Sequence, residues 1–293
     1  MDTIKNISII FLSIFLEALP FLLLGSFISS IIEVYISNDK IAKIIPKNKV
    51  LGSIGGVFLG FFLPACDCAV IPITKRLLKK KVPVNVAVSF MLASPIINPV
   101  VLLSTYYAFY KTNRYIFWYR FIFGIVIALV IGFIMGIIFS KKDVIRNSMI
   151  EEEECTCEHK EKGIIHVFIH TAIDLFEVAK YLMFGALLAS IIQVLLPRSV
   201  LLVFNNNQVL SVIVLMLFAY LISLCSTSDS FIGRSLLNSF GKVSILAYLL
   251  LGPMIDIKNT IVLYGNYKKS FVNTLILLIF ITIFICSLVV MIL

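Results

Sequence analysis

The chain has 293 residues, of which 60% are hydrophobic and only 14% charged, with a mean hydropathy of +1.05. Soluble domains carry about 25% charged residues, so this composition excludes a water-soluble globule. The net charge of +9 sits in gaps between apolar runs, where it carries topological information and excludes nucleic acid as a partner.

Apolar runs recur along the whole chain, so the protein is polytopic. The 24 phenylalanines and the lack of ten-residue alternating segments argue against an outer-membrane barrel, leaving helices as the way to cross lipid. Requiring about 20 apolar residues per crossing defines eight segments, near 6–36, 50–74, 83–110, 115–140, 164–197, 208–232, 243–264 and 271–292. The first contains Glu17 and Pro20 and is too long for a signal-peptide core, so it is read as an uncleaved helix.

The second segment is the most informative. Gly52, Gly56 and Gly60 form a stripe without side chains against which another helix can pack. Pro64 and Pro72 then bracket Cys66, Asp67 and Cys68, and the helix is expected to break there, because each proline removes a donor and clashes with the preceding turn. Broken backbone inside a bilayer is tolerated where protein or a water-filled cavity meets it. Two thiols one residue apart are soft ligands suited to trivalent arsenic, Zn or Cu(I), although cysteine also serves as a small packing residue. In the third segment, Ser94, Pro95 and Asn98 suggest a further interruption.

The polar stretch 141–162 follows the fourth segment. It contains an acidic run and then Cys155, Cys157 and His159, a weak loop candidate for holding a metal or a solvated spacer. Beyond it, residues recur at an offset of about 160: Glu17 meets Glu177, Gly25 meets Gly185, Cys66 meets Cys225, and Asn98 meets Asp256. The chain therefore reads as a first repeat over 1–140, a cytoplasmic polar loop over 141–162, and a second repeat over 163–293. Repeats of interrupted helices point to a transporter with its site where the repeats meet. If the second and sixth segments dip and return, the halves are inverted and lysine and arginine divide far more unevenly between the two sides. The positive-inside rule favours that arrangement, whereas the length of 50–74 suits one crossing.

In the sixth segment Cys225, Ser226, Thr227, Ser228, Asp229 and Ser230 form a polar cluster that is costly in lipid unless it faces a polar path. In the seventh, Asp256 is expected to face Asn98 across the repeat interface, or else to pair with Lys258 at a helix end. The intramembrane acids Glu17 and Glu177 are candidates for proton coupling, with Asp174 one turn before the latter; helix-to-helix hydrogen bonding is the alternative.

The substrate-binding set expected from these residues is Cys66, Asp67, Cys68, Asn98, Cys225, Ser226, Thr227, Asp229 and Asp256, with Cys66 and Cys68 as the metal-binding pair. At PACDCAVIP, at KRLLKKKVPVNVAVSFMLASPIINPVVLLSTYYAF, and at CSTSDSFI with GPMIDIKN, nearly the whole chain resembles the bacterial predicted permeases that include ArsP-type organoarsenical efflux permeases. The resemblance implies an all-α, multi-pass permease of the inner membrane in which Cys66 and Cys68 bind trivalent arsenic. The expectation is a secondary efflux permease, not an enzyme, without a cofactor, acting on a small molecule or metal ion by alternating access. A partner subunit or second copy in the membrane is compatible with it. A membrane thiol oxidoreductase cycling Cys66 and Cys68, or a non-transporting subunit of a larger complex, are the competing classes. The CxC spacing is poor for a relaxed disulfide.

Overall fold

A computed structural model describes residues 2–35, 48–63, 66–139, 144–145, 164–195 and 207–292. The loop candidates Cys155, Cys157 and His159, and Pro64, lie outside the described residues. Among the described residues the chain is almost entirely helical and has no β-strand beyond one isolated bridge between Ile145 and Tyr267. The helices are α1 (Asp2–Tyr35), α2 (Lys49–Phe62), α3 (Asp67–Lys79), α4 (Val84–Ile97), α5 (Pro99–Phe109), α6 (Tyr115–Ile138), α7 (Ile164–Leu195), α8 (Gln208–Ile222), α9 (Ser228–Met254), α10 (Ile257–Asn266) and α11 (Lys269–Ile292). Six stretches among the described residues are long and apolar enough to cross a membrane, and α2 and α8 are shorter apolar helices.

Close backbone contacts fix the direction of each helix. A Cβ added at Gly56 would lie 2.4 Å from the Val86 carbonyl oxygen, and one at Gly60 would lie 2.9 Å from the Ser94 nitrogen. Thus α2 and α4 run side by side in the same direction, and the glycine stripe is what lets their backbones touch. Since α4 follows α3 through a short turn at 80–83, α3 must run the opposite way to α2. The second apolar segment therefore rises to mid-height, reverses between Leu63 and Cys66, and returns as α3 to the end it came from. The end where α2 starts and α3 finishes is called the lower end below.

α6 descends beside α4, with Gly124 against Ile96 and Gly136 against Asn85. The α4–α5 rod continues upward through its break at Asn98, because Thr105 on α5 meets Arg120 on α6, one turn above Gly124. α1 and α7 pack together and run antiparallel. Ser29 of α1 is bonded to Asp174 of α7 at 3.1 Å, whereas Gly25, one turn earlier on α1, meets Ala69 near the top of α3. Gly185, further along α7, meets Lys258 at the same height.

The second half of the chain contains a matching reversal. Ser223, at the end of α8, lies at Lys258, while Phe218 one turn earlier packs against Tyr248 above it, with ring centroids 6.1 Å apart. So α8 descends to mid-height. Ser226 touches Asp67, and Ser230, one turn on, touches Thr105 and Arg120 higher up, so α9 starts upward. It cannot be one straight rod. A straight helix would separate Asp229 from Gly252 by about 35 Å, yet a Cβ on Gly252 would lie 2.7 Å from Asp229 Oδ2. The chain folds back at Gly241, whose φ of 77° and ψ of 172° suit glycine alone. The returning arm descends into α10, and α11 closes the fold.

Among the described residues the bundle thus has six long apolar stretches that could each cross a membrane and two shorter hairpins that reverse at mid-height. One sequence expectation is corrected. Pro72 does not end a helix; it lies within α3, and the break falls on its N-terminal side, at Cys66. A proline in a helix packed on several sides keeps its helical path because the surrounding elements hold the backbone, and the one carbonyl it frees, that of Cys68 four residues earlier, lies in the first turn of α3.

Candidate functional site

Four helices begin at mid-height: α3, α5, α9 and the short α10. Each helix start exposes backbone N–H groups that need acceptors, and its partial positive charge favours carboxylates. The sequence supplies them. Asp67 and Asp229 lie in the first turns of α3 and α9. Asn98 caps α5 by accepting from Val100 N, and Asp256 caps α10 by accepting from Asn259 N at 2.7 Å. This is why three carboxylates can stand inside an apolar bundle.

Two polar centres result. In the first, Lys258 Nζ lies 3.1 Å from Asp67 Oδ2, pairs with Asp256 Oδ2, and donates to the Ser223 carbonyl at 3.3 Å. Asn259 donates its side-chain amide to Asp67 Oδ2 at 3.1 Å, and Ser226 Oγ donates to Asp67 Oδ1 at 3.5 Å. Cys68 Sγ lies 3.7 Å from the Asn259 side-chain oxygen. In the second centre, fully buried Arg120 donates to Thr105 Oγ1 at 2.7 Å and Ser230 Oγ at 2.8 Å. The Tyr248 hydroxyl donates to Asp229 Oδ1 at 3.0 Å.

Beside the first centre opens a cleft holding about 390 Å³ of empty space, including its open mouth. Cys66, Cys68 and Cys225 all line it, with Asp67, Lys258 and Ser223 on the same wall. Glu17 and the apolar side chains of Ile14, Ala18 and Phe21 on α1 also line it. A smaller cavity of about 250 Å³ lies between α3, α4, α9 and α10, lined by Val70, Met91, Pro95, Met254 and Leu263. Asp67 lines both spaces.

The site residues read from the sequence are distributed as follows. Cys66, Asp67, Cys68 and Cys225 come together at the cleft, and Ser226 joins them through Asp67. Thr227 is 3.4 Å from Cys225 Sγ. Asp256 belongs to the same centre through Lys258. Asn98 and Asp256 each cap their own helix, and Asn98 lines neither space. Asp229 lies instead in the Arg120 centre. The two matched glutamates part company: Glu17 faces the cleft, whereas Glu177 binds Lys75 Nζ at 2.8 Å towards the lower end. Next to that pair, Arg76 holds Asp174 at 2.7 Å, with both side chains at most 3% exposed.

Sequence reasoning passed over Arg120, Asn259, Lys75 and Arg76. Arg120 had a signal, a lone cation inside the run YIFWYRFIFGIV. Among the described residues no three His, Cys, Asp or Glu side chains are gathered as a preformed metal cage. Three thiols, those of Cys66, Cys68 and Cys225, line the cleft.

This arrangement, a polytopic helical bundle with two hairpins meeting at a polar cleft, is that of a membrane permease. The model of the predicted permease family ArsP_1 matches residues 3–292, and the chain belongs to that family. It is 40% identical over 273 residues to UPF0718 protein YcgR of Bacillus subtilis, covering 91% of this chain and 90% of that one. It is 38% identical over 270 residues to a Streptococcus mutans protein provisionally named a two-component membrane permease complex subunit, covering 90% of this chain and 87% of that one. No solved structure matches.

Proposed function

We propose that the protein is a secondary efflux permease of the bacterial inner membrane that carries a thiophilic solute, a trivalent organoarsenical or a soft metal ion, by alternating access. The observation that carries this reading is the meeting of Cys66, Cys68 and Cys225 at one mid-height cleft between broken helices. Thiols bind soft electrophiles, and helix interruptions at mid-height are where transporters hold their cargo. The solute is bound by the three thiols, and Asp67, Ser226, Thr227 and Asp256 shape the polar surroundings.

The antiparallel course of α1 and α7 and the two reversals support reading 1–140 and 163–293 as inverted repeats joined by the 141–162 loop. The lower end, rich in lysine and arginine, is then cytoplasmic. Glu17, which lines the cleft with the thiols, is the better placed of the two matched glutamates for coupling. The name of the streptococcal relative favours a second membrane subunit as a working partner.

The test is uptake of methylarsenite, arsenite, Zn and Cu(I) into everted vesicles. Cys66→Ser and Cys68→Ser are each expected to lower uptake by about tenfold, the loss of one ligand. Unchanged uptake in both variants overturns thiol ligation. A reversible Cys66–Cys68 bond in a redox titration, without uptake of any solute, favours the oxidoreductase class.

A further inference from the structure

Lys258 stands in a cage of oxygen atoms whose carboxylates other groups also hold. Two carboxylate oxygens, of Asp67 and Asp256, and the Ser223 carbonyl surround its ammonium. Ser223 adopts a left-handed conformation with φ 53° and ψ 51° as the C-cap of α8, and its carbonyl is directed at Lys258. The other contacts hold the cage from behind. Asn259 N–H fixes Asp256, while the Asn259 amide and Ser226 fix Asp67. Two carboxylates and a main-chain carbonyl released by a broken helix are the donors with which proteins hold hard monovalent and divalent cations. Here the place is taken by a side chain of the protein itself.

Its position bears on passage through the bundle. Asp67 lines both the cleft and the smaller cavity below; Lys258 lines only the cleft, and Asn259 only the lower cavity. A solute leaving the cleft downward must pass Asp67, which Lys258 grips from the cleft side. Lys258 has a second anion to keep, because Asp256 caps the same helix two residues away.

We infer that Lys258 is a tethered counter-cation: its ammonium fills a cation site built by Asp67, Asp256 and the Ser223 carbonyl, and it releases Asp67 while retaining Asp256 as solute passes. A protein that carries its own cation here needs none from solution at this site. Removing the ammonium leaves a site that takes one. The passage step rests on the permease reading above, whereas the cation site is read without any solute.

The full-length protein in detergent is melted in sodium, methylammonium or choline chloride at equal ionic strength. Lys258→Ala is expected to be stabilised by about 2 °C or more in sodium or methylammonium relative to bulky choline, with the native protein indifferent. In everted vesicles this variant loses uptake by about tenfold, and the same small cation restores part of it. A melting temperature of Lys258→Ala that ignores all three salts overturns the inference. If that variant does not fold, the triple variant Lys258→Met with Asp67→Asn and Asp256→Asn, which leaves no charge in the cage, decides. It is expected to fold, to ignore cations and to remain inactive; uptake at the native rate would make the pair merely structural and sink the idea. Should no solute be taken up even by the native protein, the permease reading fails while the melting comparison still judges the cation site.

Discussion

The pair Arg76–Asp174 lets the price of intramembrane charge be worked out. The guanidinium is 1% exposed and its partner 3%, and two bonds join them, Nη2 to Oδ1 at 2.7 Å and Nε to Oδ2 at 3.2 Å. Ser29 Oγ donates to the same carboxylate at 3.1 Å, so one side chain of α7 ties the α3 arm of the first hairpin to α1. Asp174→Ala removes both bonds by which α7 holds the buried guanidinium of Arg76. The loss of one partner of a buried pair costs up to about 3–5 kcal/mol, and the Ser29 hydroxyl can turn to the Pro72 carbonyl oxygen, already 3.5 Å away. Replacing both charges, Arg76→Met with Asp174→Leu, removes the desolvated cation as well and should recover part of that loss. Equilibrium unfolding in mixed micelles measures all three proteins, and the double-mutant cycle isolates the pair. The reasoning is refuted if Asp174→Ala unfolds within about 1 kcal/mol of the native protein, or if the double variant is weaker than the single one.

Two further outcomes follow from the chain path. Cysteines placed at Lys49, Lys80 and Lys268 should react with an impermeant maleimide from one side of the membrane, and those at Lys111 and Lys242 from the other; labelling of Lys49 and Lys80 from opposite sides would rule out the first reversal. Gly241→Ala puts a Cβ at a φ of 77° and ψ of 172° and should destabilise the protein by about 1–3 kcal/mol in the same unfolding assay, whereas Gly55→Ala, where a Cβ meets nothing within 4 Å, should not.

Several features of the site were legible because they are local. Prolines and polar clusters stop helices wherever they occur, and the breaks at Cys66, at Asn98, over 223–227 and at Asp256 fall at or beside the motifs that predicted them. The glycine stripe announced a close helix contact, although its partner α4 could not be named. The destinations of the charges were not legible. Glu17 and Glu177 match in sequence, yet one faces a cleft and the other a lysine, because α1 and α7 pass the α3 helix in opposite directions. Asp229 looked like a cleft residue from its neighbours Cys225 and Ser226, but one helical turn carries it up to Tyr248 and the Arg120 centre.

From its sequence alone, then, the chain is committed to lipid, to helices and to interruptions at particular residues, since hydropathy and backbone chemistry act over a few positions. Whether the backbone continues or turns back after an interruption is decided by packing with segments far away in sequence, as when the α4 backbone settles on Gly56 and Gly60. The same long-range packing brings Lys75 to Glu177, Arg76 to Asp174 and Lys258 to Asp67, each partner arriving from another helix.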